Sequence, residues 1–321
     1  MNYHYYLVIN SNSGSGRGTQ IGKELTALMD EKGLNYSASF TQYAGQEIEI
    51  VKELAANTLV AWEEDKEYET FPLLLVVGGD GTLNQVMNAL HDFSKDIPLA
   101  FIPGGSGNDF ARAVGITRGN TKEALEQILK ADQPQKINVL KYYESNKQIE
   151  GTFVNNFGIG IDASVVHATN DSATKATLNK YHLGSLAYVL SVLKVLFTQK
   201  TFTVTVTLKN GETKTFDKAF LATTTNHAYF GGGVAIAPSA DPRKEDMYFV
   251  LAEKTSWPRL FSLIFALSKG KHFEKEDFHH FVSDEIILVT TTEQYGQVDG
   301  ETIDKQEFNL KFQAGTRYIW F

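Results

Sequence analysis

The chain has 321 residues, with 30 Lys plus Arg against 38 Asp plus Glu and a formal net charge of -8. At 42% hydrophobic and 21% charged residues it has the composition of a soluble globular protein, which excludes wholesale disorder. The acidic balance argues against a general nucleic-acid binder, and the lack of Cys excludes disulfide scaffolds, thiolate metal sites and Cys nucleophiles. The N-terminus lacks the basic start and apolar core of a signal peptide. The longest greasy stretch, Leu183 to Phe197, is too short and too broken to span a bilayer.

In the first third, strand-like and helix-like patterns alternate. Tyr5–Ile9 is an apolar run that ends in the polar loop Asn10-Ser11-Asn12-Ser13-Gly14-Ser15-Gly16-Arg17-Gly18. Ile21, Leu25 and Leu28 then repeat on one helical face. Tyr36 to Phe40 reads as a strand, and Ile48, Val51, Leu54 and Ala55 return to helical spacing. After the charged connector Glu63–Glu69, Leu73–Val77 is a continuous apolar run, as in a strand buried on both faces. A short helix over Leu83–Leu90 and a strand at Leu99–Ile102 follow. Strands alternating with helices imply βαβ units and a mostly parallel sheet.

From about Lys136 onward strands dominate, at Ile137–Tyr143, Thr152–Asn156, Phe202–Leu208, Phe216–Thr225, Met247–Leu251 and Ile286–Thr292. Asn210-Gly211 between two alternating runs predicts a hairpin. Helices are predicted at Leu178–Phe197 and Pro258–Leu267. The expectation is an α/β N-terminal domain and a β-rich C-terminal domain that meet near 134–138 and form a cleft.

Gly78-Gly79-Asp80-Gly81-Thr82 stands directly between a strand and a helix. Three glycines remove side chains where a ligand meets the backbone, and the exposed N–H groups and helix start can hold anionic oxygens. A tight turn needs only one glycine. Thr82 is placed to cap the helix. Asp80 is odd in a pure phosphate cradle, because a carboxylate repels phosphate. Holding Mg²⁺ or water, or accepting N–H bonds to orient the loop, would account for it. Pro103-Gly104-Gly105-Ser106-Gly107-Asn108-Asp109-Phe110-Ala111-Arg112 repeats the order of strand, glycine loop and helix start. Alone, Asn108 and Asp109 read as helix caps. With the first loop they read as a nucleotide crevice at the ends of parallel strands. The Asn10–Gly18 loop has Thr19 where a dinucleotide fingerprint needs Gly, and it lacks the Gly-Lys-Ser/Thr of a P-loop. Arg17 can still reach phosphate.

These three loops resemble the diacylglycerol kinase catalytic-domain family, the soluble bacterial lipid kinases related to sphingosine kinases, over nearly the whole chain. Gly-Gly-Asp-Gly-Thr is shared with NAD kinases and resembles a phosphofructokinase motif. The Pro103–Arg112 run is more specific to lipid kinases. Asn156 to Ala163 is similar to the family's domain-junction segment, and Asp299-Gly300-Glu301 to its late Asp-Gly-Glu. Asp-Gly between strands is also a common hairpin turn.

The resemblance implies an α/β fold with a Rossmann-like, NAD-kinase-type nucleotide domain over 1–137 and a β-sandwich-like substrate domain over 138–309. The last strand, about 310–321, is expected to return to the first domain. The implied activity is ATP-dependent, Mg²⁺-assisted phosphorylation of a lipid hydroxyl, with diacylglycerol giving phosphatidic acid. Asp299 would be the general base, with Glu301 and Asp80 in the catalytic set. Asn10, Ser13, Gly14, Arg17, Gly78, Gly79, Gly81, Thr82, Gly105, Ser106, Asn108 and Asp109 would hold the nucleotide. A cytoplasmic protein in peripheral membrane contact is expected, helped by Lys175, Lys180, Lys194 and Lys200 around the greasy helix. Nucleic acid is not an expected partner, and a homodimer is left open.

The chain departs from the family pattern at three places. Ser11 stands where Pro is usual, and Ser106 where Thr is commoner. Lys244-Glu245-Asp246-Met247 stands where the family often has an Asp that helps hold a structural Mg²⁺. Glu245 and Asp246 are either substitute ligands or solvated turn charges. Two other readings stay open: an NAD kinase-like enzyme, and a non-catalytic nucleotide-binding regulatory protein.

Overall fold

The computed structural model describes residues 2–94, 96–170 and 195–321. Its first region alternates β1 (Asn2–Ile9), α1 (Ser13–Glu31), β2 (Asn35–Phe40), α2 (Gln46–Asn57), β3 (Thr70–Gly78), α3 (Asp80–Ala89) and β4 (Leu99–Pro103). The strands pair in parallel in the order β2-β1-β3-β4. β3 is apolar throughout because helices cover both faces of the sheet. Leu74 and Val76 pack with Val51, Leu83 and Val86 on one side. Leu73, Leu75 and Val77 pack with Leu25, Met29 and Leu125 on the other.

Register decides where the loops go. Ile9 lies opposite Val77, and Gly78 opposite Pro103. All three glycine loops therefore leave the sheet side by side at its C-terminal edge. The chain turns to opposite sides of β1, with β2 on one flank and β3 on the other, which opens the crevice expected at such a reversal.

After α4 (Asp109–Val114) and α5 (Thr121–Lys130) the chain runs into antiparallel strands. These are β5 (Gln135–Glu144), β6 (Ile149–Phe153), β7 (Asn156–Gly160), β8 (Phe202–Leu208), β9 (Thr213–Thr225), β10 (Tyr229–Phe230), β11 (Val234–Ala235), β12 (Met247–Glu253), β13 (Phe278–Ser283), β14 (Glu285–Thr290), β15 (Gln294–Val298), β16 (Glu301–Gln306) and β17 (Asn309–Trp320). Among the described residues, the helices α6 (Ile161–Asn170) and α7 (Trp257–Ser268) interrupt them. These strands enclose an aromatic core that includes Phe153, Phe157, Phe202, Phe249, Phe308 and Phe312.

The Asn210-Gly211 hairpin joins β8 to β9, with Gly211 at φ +85. β17 runs antiparallel to β5, and its end pairs in parallel with Leu99–Ala100 of β4, adding a strand to the first sheet. The predicted strand Thr152–Asn156 is interrupted at Val154–Asn155, between β6 and β7. Of the predicted helix Leu178–Phe197, only 195–197 lies within the described residues, as does Lys200 of the four lysines around it.

Candidate active site

The three strand-end loops are fastened to one another by backbone and amide contacts. Asn10 Nδ2 donates to Thr82 Oγ1 at 2.9 Å and to Glu47 Oε1 at 3.2 Å. Thr82 therefore does not cap α3 as predicted. It sits buried inside the first turn, and its hydroxyl is used by β1's loop. Gly104 N–H donates to Gly78 O at 2.6 Å. Gly79 and Gly105 touch backbone to backbone: a Cβ on Gly105 would lie 2.6 Å from Gly79 Cα and 2.8 Å from Asn108 Oδ1. Gly14 adopts φ +58, and a Cβ there would fall 2.2 Å from Gly104 O. At both positions only glycine lets two loops close on each other.

Asn108 holds its loop rather than capping a helix. Its Oδ1 accepts from Gly105 N–H at 3.1 Å and its Nδ2 donates to Gly105 O at 2.8 Å. Arg17 donates to Gly14 O and Gly105 O, each at 3.2 Å, so its guanidinium braces both loops. Arg17, Gly105, exposed Ser106 and Asn108 line a polar cavity of about 490 Å³. Ser13 Oγ is buried beside Gly104 without a hydrogen-bond partner.

On the other side of the same loop lies a second cavity of about 490 Å³. One end presents Asp80, Asp109, Asp162 and Asp299. The rest is apolar wall, including Val165, Phe220, Leu221, Phe230, Leu263 and Phe278. Asp80 Oδ2 accepts from Asp109 N–H at 3.0 Å, while Asp80 Oδ1 is buried with no partner. Burial, reinforced by the neighbouring negative charge of Asp109, pushes the Asp80 carboxyl up to about 6. Asp109 Oδ2 accepts from Gly232 N–H at 2.7 Å, and its Oδ1 has only Arg112 Nε at 3.7 Å.

Asp299 is differently placed. It forms the predicted Asp-Gly turn between β15 and β16, at φ +48 with Gly300 at φ +87. Its Oδ1 accepts from Asn155 and Asn156 N–H, at 2.8 and 3.0 Å. Its Oδ2 accepts from Val154 N–H and Asn84 Nδ2, both at 2.8 Å. Burial raises its carboxyl to about 6 against these four donors. Three of the donors are backbone N–H groups at the break between β6 and β7, which have left the strand ladder and need an acceptor, and the fourth is the Asn84 side chain on α3. Two donors per oxygen fill the lone-pair positions of the carboxylate. The turn and the family motif are thus the same feature, and the oxygens expected to take a substrate proton are occupied.

The remaining expected residues scatter. Glu301 is exposed, with its Oε1 3.9 Å from where a Gly81 Cβ would stand. Glu245 lines a polar surface pocket with Lys209 and Arg317, while Asp246 offers its backbone oxygen to Asn138. Among the described residues there is no group of three or more His, Asp or Glu that could hold a metal.

Several neighbours of Asp80 were not singled out in the sequence. Asn155 lines the same cavity, and its side chain lowers the Asp80 pKa against burial. His227 is fully buried, and burial lowers its pKa to about 4, so it is neutral. Tyr229 N–H donates to His227 Nδ1 at 3.1 Å, which leaves the proton on Nε2, 2.9 Å from Asn155 Oδ1. His227 therefore fixes the Asn155 amide so that its NH₂ group is left for Asp80. Gly231, Gly232 and Gly233, at φ +60, +86 and +116, form the loop that reaches Asp109. That glycine run was visible in the sequence. Asp162 was visible only as part of the junction segment. Its Oδ2 accepts from Thr223 Oγ1 at 3.0 Å, its Oδ1 is unpaired, and burial lifts it to about 6.

These features fit a nucleotide and a divalent ion. The glycine loops offer backbone at close range, and Asp80 and Asp109 each keep one buried carboxylate oxygen free of hydrogen bonds. Mg²⁺ is commonly held by one or two carboxylates together with phosphate oxygens and water. A parallel sheet with glycine loops at one edge, joined to antiparallel sheets that supply an acid-tipped cavity, defines a two-domain α/β phosphotransferase architecture. Residues 4–142 match the diacylglycerol kinase catalytic domain, and residues 156–315 match the YegS C-terminal NAD kinase beta sandwich-like domain. Residues 4–142 belong to the diacylglycerol kinase catalytic-domain family, a family of kinases, and the two matched segments together span most of the chain.

Among relatives, it is 27% identical to "Putative lipid kinase YtlR" of Bacillus subtilis (strain 168), over 96% of both chains. It is 24% identical to a "Diacylglycerol kinase" of the same organism, over 92% of this chain and 88% of that one. A solved structure from Bacillus anthracis str. Sterne, described as "a putative diacylglycerol kinase", shares the fold at TM-score 0.73 and 21% identity, covering 99% of this chain and 96% of that one. No helix among the described residues is long and apolar enough to cross a membrane.

Proposed function

We propose that the protein is an ATP-dependent lipid kinase that phosphorylates a lipid hydroxyl, with diacylglycerol as substrate and Asp80 as the base. The observation that carries this reading is the second cavity, apolar along its wall and acidic at one end. Each acyl CH₂ buried there gains about 0.8 kcal/mol, which favours a lipid over a polar acceptor such as NAD. Asp80 suits the base role because it lines that cavity, keeps one buried oxygen free of hydrogen bonds and has a pKa raised to about 6. A base works best when its pKa lies near the operating pH.

In this scheme the lipid hydroxyl oxygen bonds to the terminal phosphorus of ATP as the bond to ADP breaks, and Asp80 Oδ1 takes the hydroxyl proton. Glycine-loop N–H groups hold the phosphates, with the Asn10–Arg17 loop closing one side. Mg²⁺, when bound, supplies neutralisation of phosphate charge, and Asp109 is its protein ligand. Asp299 keeps Val154–Asn156 in place and so positions Asn155 against Asp80.

The test is incubation with end-labelled ATP and a panel of diacylglycerol, a long-chain amino alcohol, glycerol and NAD. Label is expected on diacylglycerol and absent from glycerol and NAD. Label on NAD with none on either lipid would overturn the reading.

A further inference from the structure

The helix α7 forms one wall of the apolar cavity. Leu260, Leu263 and Leu267, at helical spacing, face inward and line it. An ordinary surface helix would be polar on its outer side. This one is not: Trp257, Phe261 and Phe265 recur at four-residue spacing on the outside. Phe261 is 59% exposed and Phe265 66%. Ile264, which also lines the cavity, is 42% exposed and marks the rim between the two faces. Phe197, 62% exposed, adds its ring to Trp257 at 4.5 Å between centroids.

Charge around this patch runs against the rest of the molecule. Residues 254–273 contain Lys254, Arg259, Lys269 and Lys271 and no carboxylate, in a chain of net charge -8. Arg259, Lys269 and Lys271 are exposed. Lys269 Nζ lies 5.9 Å from the Phe265 ring centroid, at the same end of the patch. Arg259 keeps a loose 4.0 Å contact with Asp277.

We infer that the outer face of α7 docks on an anionic lipid bilayer, with Phe261 and Phe265 entering the acyl boundary and Arg259, Lys269 and Lys271 meeting the headgroups. Two features select this occupant. The exposed aromatics are continuous, across Ile264, with the wall of the lipid cavity, so a docked bilayer would deliver acyl chains to its rim. Local cations beside large apolar side chains match an anionic interface, whose attraction is screened by salt. The inference rests on the lipid-kinase reading for its purpose and not for its test.

The test is co-sedimentation with vesicles of phosphatidylglycerol in phosphatidylcholine, comparing the wild type with the double variant Phe261→Ser/Phe265→Ser. The wild type should bind, less so as salt rises. The double variant should bind at least about tenfold more weakly, since each phenyl ring withdrawn from the interface forfeits much of its burial energy. Its melting temperature should be unchanged, as should its turnover of a short-chain diacylglycerol below its micelle concentration. Equal binding by the two proteins would overturn the inference. So would a wild type that ignores vesicles but sediments as a dimer that the double variant breaks, because a second copy would then be the occupant. Binding lost in the double variant, with no lipid turnover by either protein, would leave the docking face standing and remove the kinase reading instead.

Discussion

Asp80 and Asp299 lie on the same cavity, and burial lifts both carboxyls to about 6. Their surroundings are opposite. Asp80 follows a buried parallel strand and leaves one oxygen without a partner. Asp299 sits in a hairpin turn over a gap in the sheet, where Val154, Asn155, Asn156 and Asn84 use both of its oxygens. A raised pKa therefore does not by itself make a base. An oxygen free of hydrogen bonds is also needed. Under the proposed function, two acids that burial raises alike take different parts, Asp80 as base and Asp299 as organiser of the Val154–Asn156 segment.

Neutralising each acid in turn should separate their roles most strongly. Asp80→Asn should lower turnover about 100- to 10,000-fold while leaving a folded protein. Because Asp80 titrates higher in the folded chain than unfolded, its ionisation costs stability as pH rises from about 4 to 6. The melting temperature of Asp80→Asn should therefore gain on that of the wild type across that window, read by calorimetry at matched pH. A variant that keeps near-normal turnover would remove Asp80 from the mechanism.

Asp299→Asn should reverse the pattern. The amide NH₂ must face an N–H donor, which leaves at least one buried donor unpaired at a cost of about 1–3 kcal/mol. Melting should fall by about 2–4 °C for each kcal/mol lost. Turnover per folded molecule should fall less than tenfold, through misplacement of Asn155. A turnover loss as large as that of Asp80→Asn, with unchanged melting, would return the base role to Asp299.

The pH profile of turnover should respond least. Turnover should fall as pH drops through about 6, because protonated Asp80 cannot accept the hydroxyl proton. In His227→Phe the Asn155 amide loses the partner that fixes it, so a donor favouring the Asp80 carboxylate is weakened. The acid limb of turnover against pH should then move upward by less than one unit. An unmoved limb, with only a lowered melting temperature, would leave His227 as a packing residue.

Much of this protein was legible locally. The alternation of Tyr5–Ile9, Leu73–Val77 and Leu99–Ile102 with glycine loops specified parallel strands, and the Asn210-Gly211 and Asp299-Gly300 pairs specified hairpin turns. In each case the cause lies within a few residues: period, apolar run, or a glycine that accepts positive φ. The glycine loops were read as ligand-binding backbone on the same grounds. The contacts between them, Gly79 against Gly105 and Gly14 against Gly104, came only from strand register.

Which acid is free could not be read from the chain. Three of the four donors to Asp299 are N–H groups about 145 positions away, exposed by a break in a run that reads as one continuous strand, and the fourth comes from Asn84, 215 positions away. His227 and Asn155 are 72 positions apart and meet only once β9 and β7 pair. The sequence by itself determined the elements, the loops and the kinase family, because propensity, periodicity and motif are short-range properties. The tertiary structure alone decided which lone pairs are occupied, which carboxyls are buried and where the apolar cavity opens, because hydrogen-bond satisfaction and desolvation depend on every element packed around a group.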